Sequence, residues 1–314
     1  MTQDFLSQHQ EDSVPRTNGV VAKPAASAAA VTAAPHGAAP RTLPEVCYSL
    51  RHKVLAFLDA QIDDTGDEGD IRILRDTKDQ TRISMGVIEE AIHKYGPEDL
   101  SLAYNGGKDC LALLVLIMAC LPVVVPAIAA VAETPSANSS STTATPIPSP
   151  SPPPPERLQA IYIAPPDPFP EVEEFVAVST TEYHLDLVRY GLPMRPALEA
   201  YLADRPAVKA IFMGTRRTDP HSEFLKHFSP TDADWPQFMR VNPLIDWHYS
   251  EIWTFIRHLD IPFCCLYQQG FSSLGGMTNT RPNPALALDG PDGKRFRPAY
   301  ELVRDDEERL GRDR

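Results

Sequence analysis

The sequence predicts an α/β fold, a mostly parallel sheet flanked by helices, and three observations carry that prediction. An extended run, Asp99 to Ala103, passes through a glycine turn straight into the apolar segment Leu111 to Leu121. Strand-like and helix-like stretches then alternate from Arg157 to Leu259. A second extended run, Val208 to Met213, also ends on a glycine, Gly214. Strands alternating with helices at this spacing build βαβ units. Ligands of such sheets lie at the carboxyl ends of the strands, so the loops that begin at Asn105 and Gly214 are expected to face one crevice.

Taken in order, residues 1–43 are rich in Ala, Pro, Ser and Thr with little periodicity, which predicts disorder. From residue 44 to residue 314 the chain reads as one domain. Val46, Leu50, Val54, Leu55 and Leu58 recur at helical spacing. An acidic loop, Asp63 to Asp70, leads to a second helix through Ile83, Val87, Ile88 and Ile92 to Tyr95, which Gly96-Pro97 ends.

Cys110 to Ala132 carries no charge and has the length of a membrane span. Pro122 and Pro126 interrupt it, it starts directly after a Gly-Gly-Lys-Asp turn, and no Lys/Arg cluster flanks its far end. The reading is therefore a core helix, Leu111 to Leu121, followed by a low-complexity insertion at 122–156 that Pro122 opens and that holds 10 of the 32 Pro. Order returns with a strand from Arg157 to Ala164 and a proline-rich turn to Pro170. A helix follows with Val172, Phe175, Val176 and Ser179 on one face, then a strand from Tyr183 to Val188. Pro196 to Leu202 and Ser250 to Leu259 read as further helices.

Composition bounds the function. Hydrophobic residues make up 43% of the 314, enough for a globular core. The formal net charge of −13 argues against nucleic-acid or anionic-membrane partners, so any phosphate site must gather its cations locally. The five Cys show no CxxC spacing and build neither a zinc site nor a disulfide framework, which points to a reducing, cytoplasmic setting. No secretory signal is expected, because no basic region precedes a compact apolar stretch at the N-terminus.

The chemistry is expected at Tyr104-Asn105-Gly106-Gly107-Lys108-Asp109-Cys110. Residues without Cβ let the backbone approach a ligand closely. The unpaired N–H groups of a helix start, with its positive dipole end, suit a phosphate. Lys108 adds a charge and Asn105 a donor. Asp109 beside a phosphate needs a cation between them, which points to Mg²⁺. The loop is neither a Walker A nor a GxGxxG motif, and by itself it reads equally as an Asn-Gly turn. A second cluster, Gly214-Thr215-Arg216-Arg217-Thr218-Asp219-Pro220, offers two adjacent Arg as a fork for phosphate oxygens. Its Asp219 either orients an Arg or binds metal. Asp232, Asp234 and Trp235 follow, with Trp235 a stacking platform or a core anchor, and then Arg240-Val241-Asn242-Pro243-Leu244-Ile245-Asp246-Trp247.

Together these clusters resemble the eukaryotic, fungal-type FAD synthases (FMN adenylyltransferases), as do Phe271-Ser272-Ser273-Leu274-Gly275, Asn279-Thr280-Arg281-Pro282-Asn283-Pro284 and the tail Glu308-Arg309-Leu310-Gly311-Arg312. The resemblance covers most of residues 45–120 and 157–314 in the same order. It implies the PAPS reductase-like fold of the PP-loop ATP pyrophosphatases (adenine nucleotide alpha hydrolase-like). It also implies a reaction in which ATP and FMN give FAD and pyrophosphate with Mg²⁺. By match to that family, Asn105, Asp109, Asp219 and Asp232 are the expected catalytic residues. Tyr104, Gly106, Gly107, Lys108, Gly214 and Arg216 would bind ATP, and Trp235, Arg240, Arg309 and Arg312 would bind FMN. The Mg²⁺ candidates are Asp109 and Asp219. The insertion at 122–156 is longer than the resemblance leads one to expect, and residues 1–43 are too short for the upstream domain of bifunctional relatives.

Two rival functions differ in what they require of the chain. A PAPS reductase would need a nucleophilic Cys in a mobile tail, and no Cys follows Cys265. A non-catalytic flavin or nucleotide binder would not need acids and cations in every cluster. Nothing in the sequence requires more than a monomer.

Overall fold

The computed structural model describes residues 41–124, 156–288 and 295–313. Of the disorder expected over 1–43, residues 1–40 lie outside the described residues, as do 125–155 of the insertion, while Leu43 is buried at the start of the first helix.

Six strands form one sheet in the order β3-β2-β1-β4-β6-β5. They are β1 (Leu100–Ala103), β2 (Leu158–Ile163), β3 (Leu185–Tyr190), β4 (Ala210–Phe212), β5 (Phe228–Pro230) and β6 (Met239–Val241). Every neighbouring pair is parallel except β5 with β6. Leu102 of β1 faces Ala160 of β2 on one side and Phe212 of β4 on the other. The chain leaves β1 toward β2 and later returns to β4, so the strand order reverses between β1 and β4. A crevice opens beyond the strand ends at such a reversal.

The period-2 alternation of strand side chains divides the core in two. Leu100 and Leu102, Ala160 and Tyr162, and Ala210 and Phe212 face the larger cluster. Ile161 and Ile211 face a smaller one with Leu198, Tyr201, Val208 and Phe238. The larger side is covered by α1 (Leu43–Asp59), α2 (Glu68–Tyr95), α3 (Lys108–Val124), α4 (Pro170–Glu182) and α6 (Tyr249–His258). Helix α5 (Met194–Asp204) covers the smaller side. Helix α3 is buried on all sides, with Leu111 to Cys120 fully inside, as an all-round apolar helix must be. Among the described residues no helix is long and apolar enough to cross a membrane.

Several boundaries differ from the sequence reading, each for a local reason. Helix α1 starts at Leu43, where the Thr42 N–H donates to Glu45 Oε2 at 2.7 Å and closes the first turn. Helix α2 begins at Glu68, inside the loop expected to run to Asp70, because the Asp67 carboxylate caps it by accepting from the Gly69 N–H at 2.8 Å. Pro122 does not end α3. It sits buried in the last turn, and the helix runs on to Val124, since a proline that close to the end forfeits little of the hydrogen-bond ladder. Strands β5 and β6 have no counterpart in the sequence reading, because each is only three residues long.

Candidate active site

The loop after β1 and the turn after β4 meet at one cleft of about 360 Å³. Its floor is the start of α3. The Lys108 N–H donates to Tyr267 Oη at 2.9 Å, which fixes the first turn of the helix. Asn105 bends back over the loop. Its Oδ1 accepts from the Gly107 N–H and from the Cys110 thiol, both at 2.9 Å, and its Nδ2 donates to no group among the described residues. Gly106 has φ +74°, and a Cβ there would lie 2.8 Å from Val176 Cγ2. At Gly214 a Cβ would lie 2.9 Å from the Cys110 backbone nitrogen. The turn after β4 can therefore reach the helix start only as glycine.

Beneath the cleft, four charges alternate. Lys108 Nζ lies 2.9 Å from Asp109 Oδ2, and Asp109 Oδ1 lies 2.8 Å from Arg216 Nε, off the N–H axis. Glu308 closes the ring, with Oε1 on Lys108 Nζ and Oε2 on an Arg216 guanidinium nitrogen. Lys108, Arg216 and Glu308 are buried. The Lys108 ammonium also lies 4.9 Å from the centre of the Tyr249 ring, a cation–π distance. Asp305 Oδ1 touches the third Arg216 nitrogen at 3.3 Å, and Asp305 Oδ2 lies 2.6 Å from His248 Nδ1.

The ring sets the ionisation of its members. Burial alone would lower the Lys108 pKa, but Asp109 and Glu308 more than offset it and hold it above the usual lysine range. Burial would raise Asp109, and Lys108 and Arg216 more than offset that, so its carboxyl lies below the usual range. Asp219 goes the other way. Burial raises it, the carboxylate of Asp109 adds to the rise, and the Arg216 N–H that Asp219 Oδ2 accepts at 2.9 Å only partly opposes it. Burial pushes the Cys110 thiol up to about 12, so it is no nucleophile.

The structure sorts the expected site residues into three groups. Asn105, Gly107, Lys108, Asp109, Gly214, Asp219, Arg309 and Arg312 line the cleft. Tyr104 lines it too, but its hydroxyl donates inward to Ser179 Oγ at 2.8 Å. Arg216 and Arg217 do not form a clamp. Arg216 points inward onto carboxylates, while Arg217 points out to Asp246 at 2.7 Å and to the Glu223 carbonyl at 2.9 Å. Asp232, Trp235 and Arg240 stand outside the cleft lining. The Asp232 side chain is 71% exposed, 3.8 Å from Arg240, whose guanidinium also donates to the Pro230 carbonyl at 2.7 Å. Trp235 packs against the smaller core, whose Ile161, Leu198, Ile211 and Phe238 form the cleft's apolar wall. One wall is thus apolar and the other charged.

Glu308, Asp305 and Tyr267 are absent from the sequence-predicted set. The only signal for Glu308 is its place in the Glu308-Arg309-Leu310-Gly311-Arg312 run. The tail runs from a short 3-10 turn, Asp305–Glu307, through further turns and is tied down along its length. The Arg281 N–H donates to the Gly311 carbonyl at 2.8 Å, the Asp313 N–H to the Asn279 carbonyl at 3.0 Å, and Arg312 to the Leu274 carbonyl at 2.7 Å.

The donors also bear on Mg²⁺. Among the described residues no three His, Cys, Asp or Glu side chains converge as a metal cage. Both Asp109 oxygens face cations. Asp219, raised by burial and a like charge, is a carboxylate that a cation would relieve, and Mg²⁺ commonly takes one or two carboxylates plus substrate phosphates. The residues fit such an ion.

Comparison with known proteins agrees with this geometry. Residues 192–282 match the family model for the phosphoadenosine phosphosulfate reductase domain. A probable FAD synthase of Schizosaccharomyces pombe is 36% identical over 231 residues, 74% of this chain and 78% of that protein. The flavin adenine dinucleotide synthase of Saccharomyces cerevisiae is 31% identical over 254 residues, 78% of this chain and 76% of that protein. The crystal structure of Candida glabrata FMN adenylyltransferase in complex with FAD and inorganic pyrophosphate superposes with a TM-score of 0.74 at 27% identity, covering 88% of this chain and 99% of that one. Relatives at this identity and coverage, together with the two glycine turns meeting at one cleft, place the chain in the FAD synthase family.

Proposed function

We infer that this chain is an FMN adenylyltransferase: it transfers the adenylyl group of ATP to FMN, giving FAD and pyrophosphate. The observation that carries the reading is the shared cleft between β1 and β4, charged on one wall and apolar on the other, inside a chain of this family. The Candida glabrata enzyme was captured with FAD and pyrophosphate, the two products of that reaction.

An oxygen of the FMN phosphate attacks the α-phosphorus of ATP, the new P–O bond forms, and the bond to the β-phosphate oxygen breaks. Such a transfer asks the protein for alignment and for charge neutralisation. Asn105 Nδ2 and the backbone of Gly106 and Gly107 hold the ATP phosphates at the start of α3. Lys108, Asp109 and Arg216 keep that floor rigid, and Gly214 lets the β4 turn close on it. Tyr104 contributes to the wall. Mg²⁺, when bound, offsets charge on the departing pyrophosphate, and Asp219 is the carboxylate that would hold it. By the family resemblance Asp232, Trp235 and Arg240, outside the cleft lining, would meet the flavin, and Arg309 and Arg312, within it, the FMN phosphate. The reading takes the chain as a monomer in a reducing, cytoplasmic setting, with which the five free thiols agree.

Incubation with ATP, Mg²⁺ and FMN, with FAD followed by chromatography and pyrophosphate by a coupled assay, is expected to give the two products in equal amounts. Flavin that binds without turnover under those conditions would overturn the reading in favour of a non-catalytic binder.

A further inference from the structure

Glu308 belongs to the tail, yet its carboxylate lies at the centre of the site. Its side chain is 7% exposed, with one oxygen on Lys108 and the other on Arg216. Its backbone is held as firmly. The Glu308 carbonyl accepts from Ser272 Oγ at 2.6 Å and from Asn283 Nδ2 at 3.3 Å, and Asn283 also donates to the Glu307 carbonyl at 2.7 Å. Three residues earlier, Asp305 accepts from the Tyr249 N–H at 2.7 Å. Three residues later the tail is pinned again, by the Arg281 N–H on the Gly311 carbonyl. Between these two fixed points Arg309 lines the cleft, and Arg312, just beyond the second, lines it too.

Within the four-membered ring the charges are already balanced, and Asp305, which also reaches Arg216, lies against His248. Lys108 and Arg216 supply two positive charges, and Asp109 and Glu308 two negative ones. A phosphate that replaced Glu308 would also have to free a backbone held by Ser272 and Asn283.

We propose that Glu308 is a positioning residue that seats the tail on the glycine loop, and that Lys108 and Arg216 are its seat rather than phosphate ligands. The proposal rests on the FMN adenylyltransferase reading only for the identity of the ligand that the tail arginines meet. Breaking the seat releases Arg309 from the cleft while the loop that meets ATP keeps its backbone. Glu308 therefore acts through Arg309.

The test is a double-mutant cycle on the full chain with Glu308→Gln and Arg309→Ala. FMN binding is read by quenching of flavin fluorescence, steady-state kinetics by FAD formation, and tail release by trypsin cleavage after Arg309. Glu308→Gln is expected to bind FMN at least about tenfold more weakly, the scale of one lost charge-assisted hydrogen bond. The KM for ATP should stay within about twofold, since the loss is not one of uniform binding. The double variant should bind FMN no more weakly than the weaker single variant, because residues acting as a unit are not additive. In Glu308→Gln, which keeps Arg309, trypsin should cut the tail faster than in the wild type. If Glu308→Gln does not fold, Ser272→Ala, which loosens the same segment and keeps the charges, goes through the same cycle.

Additive losses would overturn the proposal, as would Glu308→Gln binding ATP more tightly, which would make Glu308 a displaceable plug. Unchanged cleavage in both Glu308→Gln and Ser272→Ala overturns the seating whether or not flavin binds. A wild-type chain that shows the cycle in binding but makes no FAD would sink the adenylyl transfer alone.

Discussion

Asp109 Oδ1 and Arg216 Nε lie 2.8 Å apart, and this contact joins the loop after β1 to the turn after β4 at the point where the strand order reverses. Neither residue faces solvent as a ready-made phosphate ligand. The arginine is spent on carboxylates, and the aspartate is spent on cations. What the pair does is fix two separated turns into one rigid floor, and a reaction that depends on alignment needs such a floor.

Removing the aspartate should therefore cost both stability and rate. Asp109→Asn leaves Lys108 and Arg216 with one carboxylate fewer, in a place water reaches poorly. Breaking a buried pair by removing one partner is strongly destabilising, so we expect a loss of about 2–4 kcal/mol in denaturant unfolding. FAD formation should fall by about 100-fold or more. The pH dependence has a definite sign. The Asp109 carboxyl is held below the usual range, so its contribution is present above that range and disappears as pH falls through the folded value. An Asn variant as stable as the wild type near neutral pH would mean that the alternating charges do not support the fold.

Gly214 makes a second, purely steric prediction. The atoms a Cβ would meet are the backbone of Asp109 and Cys110, at 2.9 to 3.1 Å, and a helix start cannot rotate aside as a side chain can. Gly214→Ala should push the β4 turn away from α3, costing about 1–3 kcal/mol. It should raise the KM for ATP more than that for FMN. Equal KM values with normal stability would show that the two turns do not need this close an approach.

What the sequence makes legible is what is local. Strand, glycine and helix start follow one another within a dozen residues at Leu100 to Lys108, and Val172, Phe175, Val176 and Ser179 are the buried face of α4 as their spacing predicts. Both turns can be placed at one crevice because parallel strands present their carboxyl ends together. Glu308 is not legible in that way. It meets Lys108 across 200 positions of chain, and nothing local in the run Asp305 to Glu308 names that partner. The Arg216-Arg217 pair misleads for a related reason. Adjacent residues read as one clamp, and only the backbone path shows that one turns in and the other out.

His248 should tune the tail with pH. Its Nδ1 lies 2.6 Å from Asp305 Oδ2, and that contact, opposed in part by burial, raises its pKa above the ordinary histidine value. A raised histidine contributes stability that is fully present below its unfolded pKa and is lost as pH rises through the folded one. The melting temperature of His248→Gln should therefore fall below that of the wild type at about pH 6, near the ordinary histidine value, and the two should converge in alkaline buffer. A gap independent of pH would assign the effect to packing rather than charge.

Asp219 should behave in the opposite sense from Asp109, and the contrast separates structure from chemistry. Burial and the nearby Asp109 carboxylate raise its pKa, so the native state resists its ionisation. The stability tied to its protonated form is present below the unfolded carboxylate range and is lost as pH rises through the folded value. Above the ordinary carboxylate range the wild type loses that stability as pH rises, so at pH 7.5 it is less stable than a variant that cannot ionise there. Asp219→Asn does not ionise, and its amide oxygen can still accept the Arg216 N–H, so this variant should melt higher than the wild type at pH 7.5 and equal to it in acid. It should nonetheless make FAD far more slowly. Addition of Mg²⁺ with ATP should then raise the melting temperature of the wild type more than that of the variant, because only the wild type offers a carboxylate that the ion relieves. If the ion and nucleotide stabilise both proteins equally, Asp219 does not hold the metal, and the unpaired charge in the cleft must meet something else.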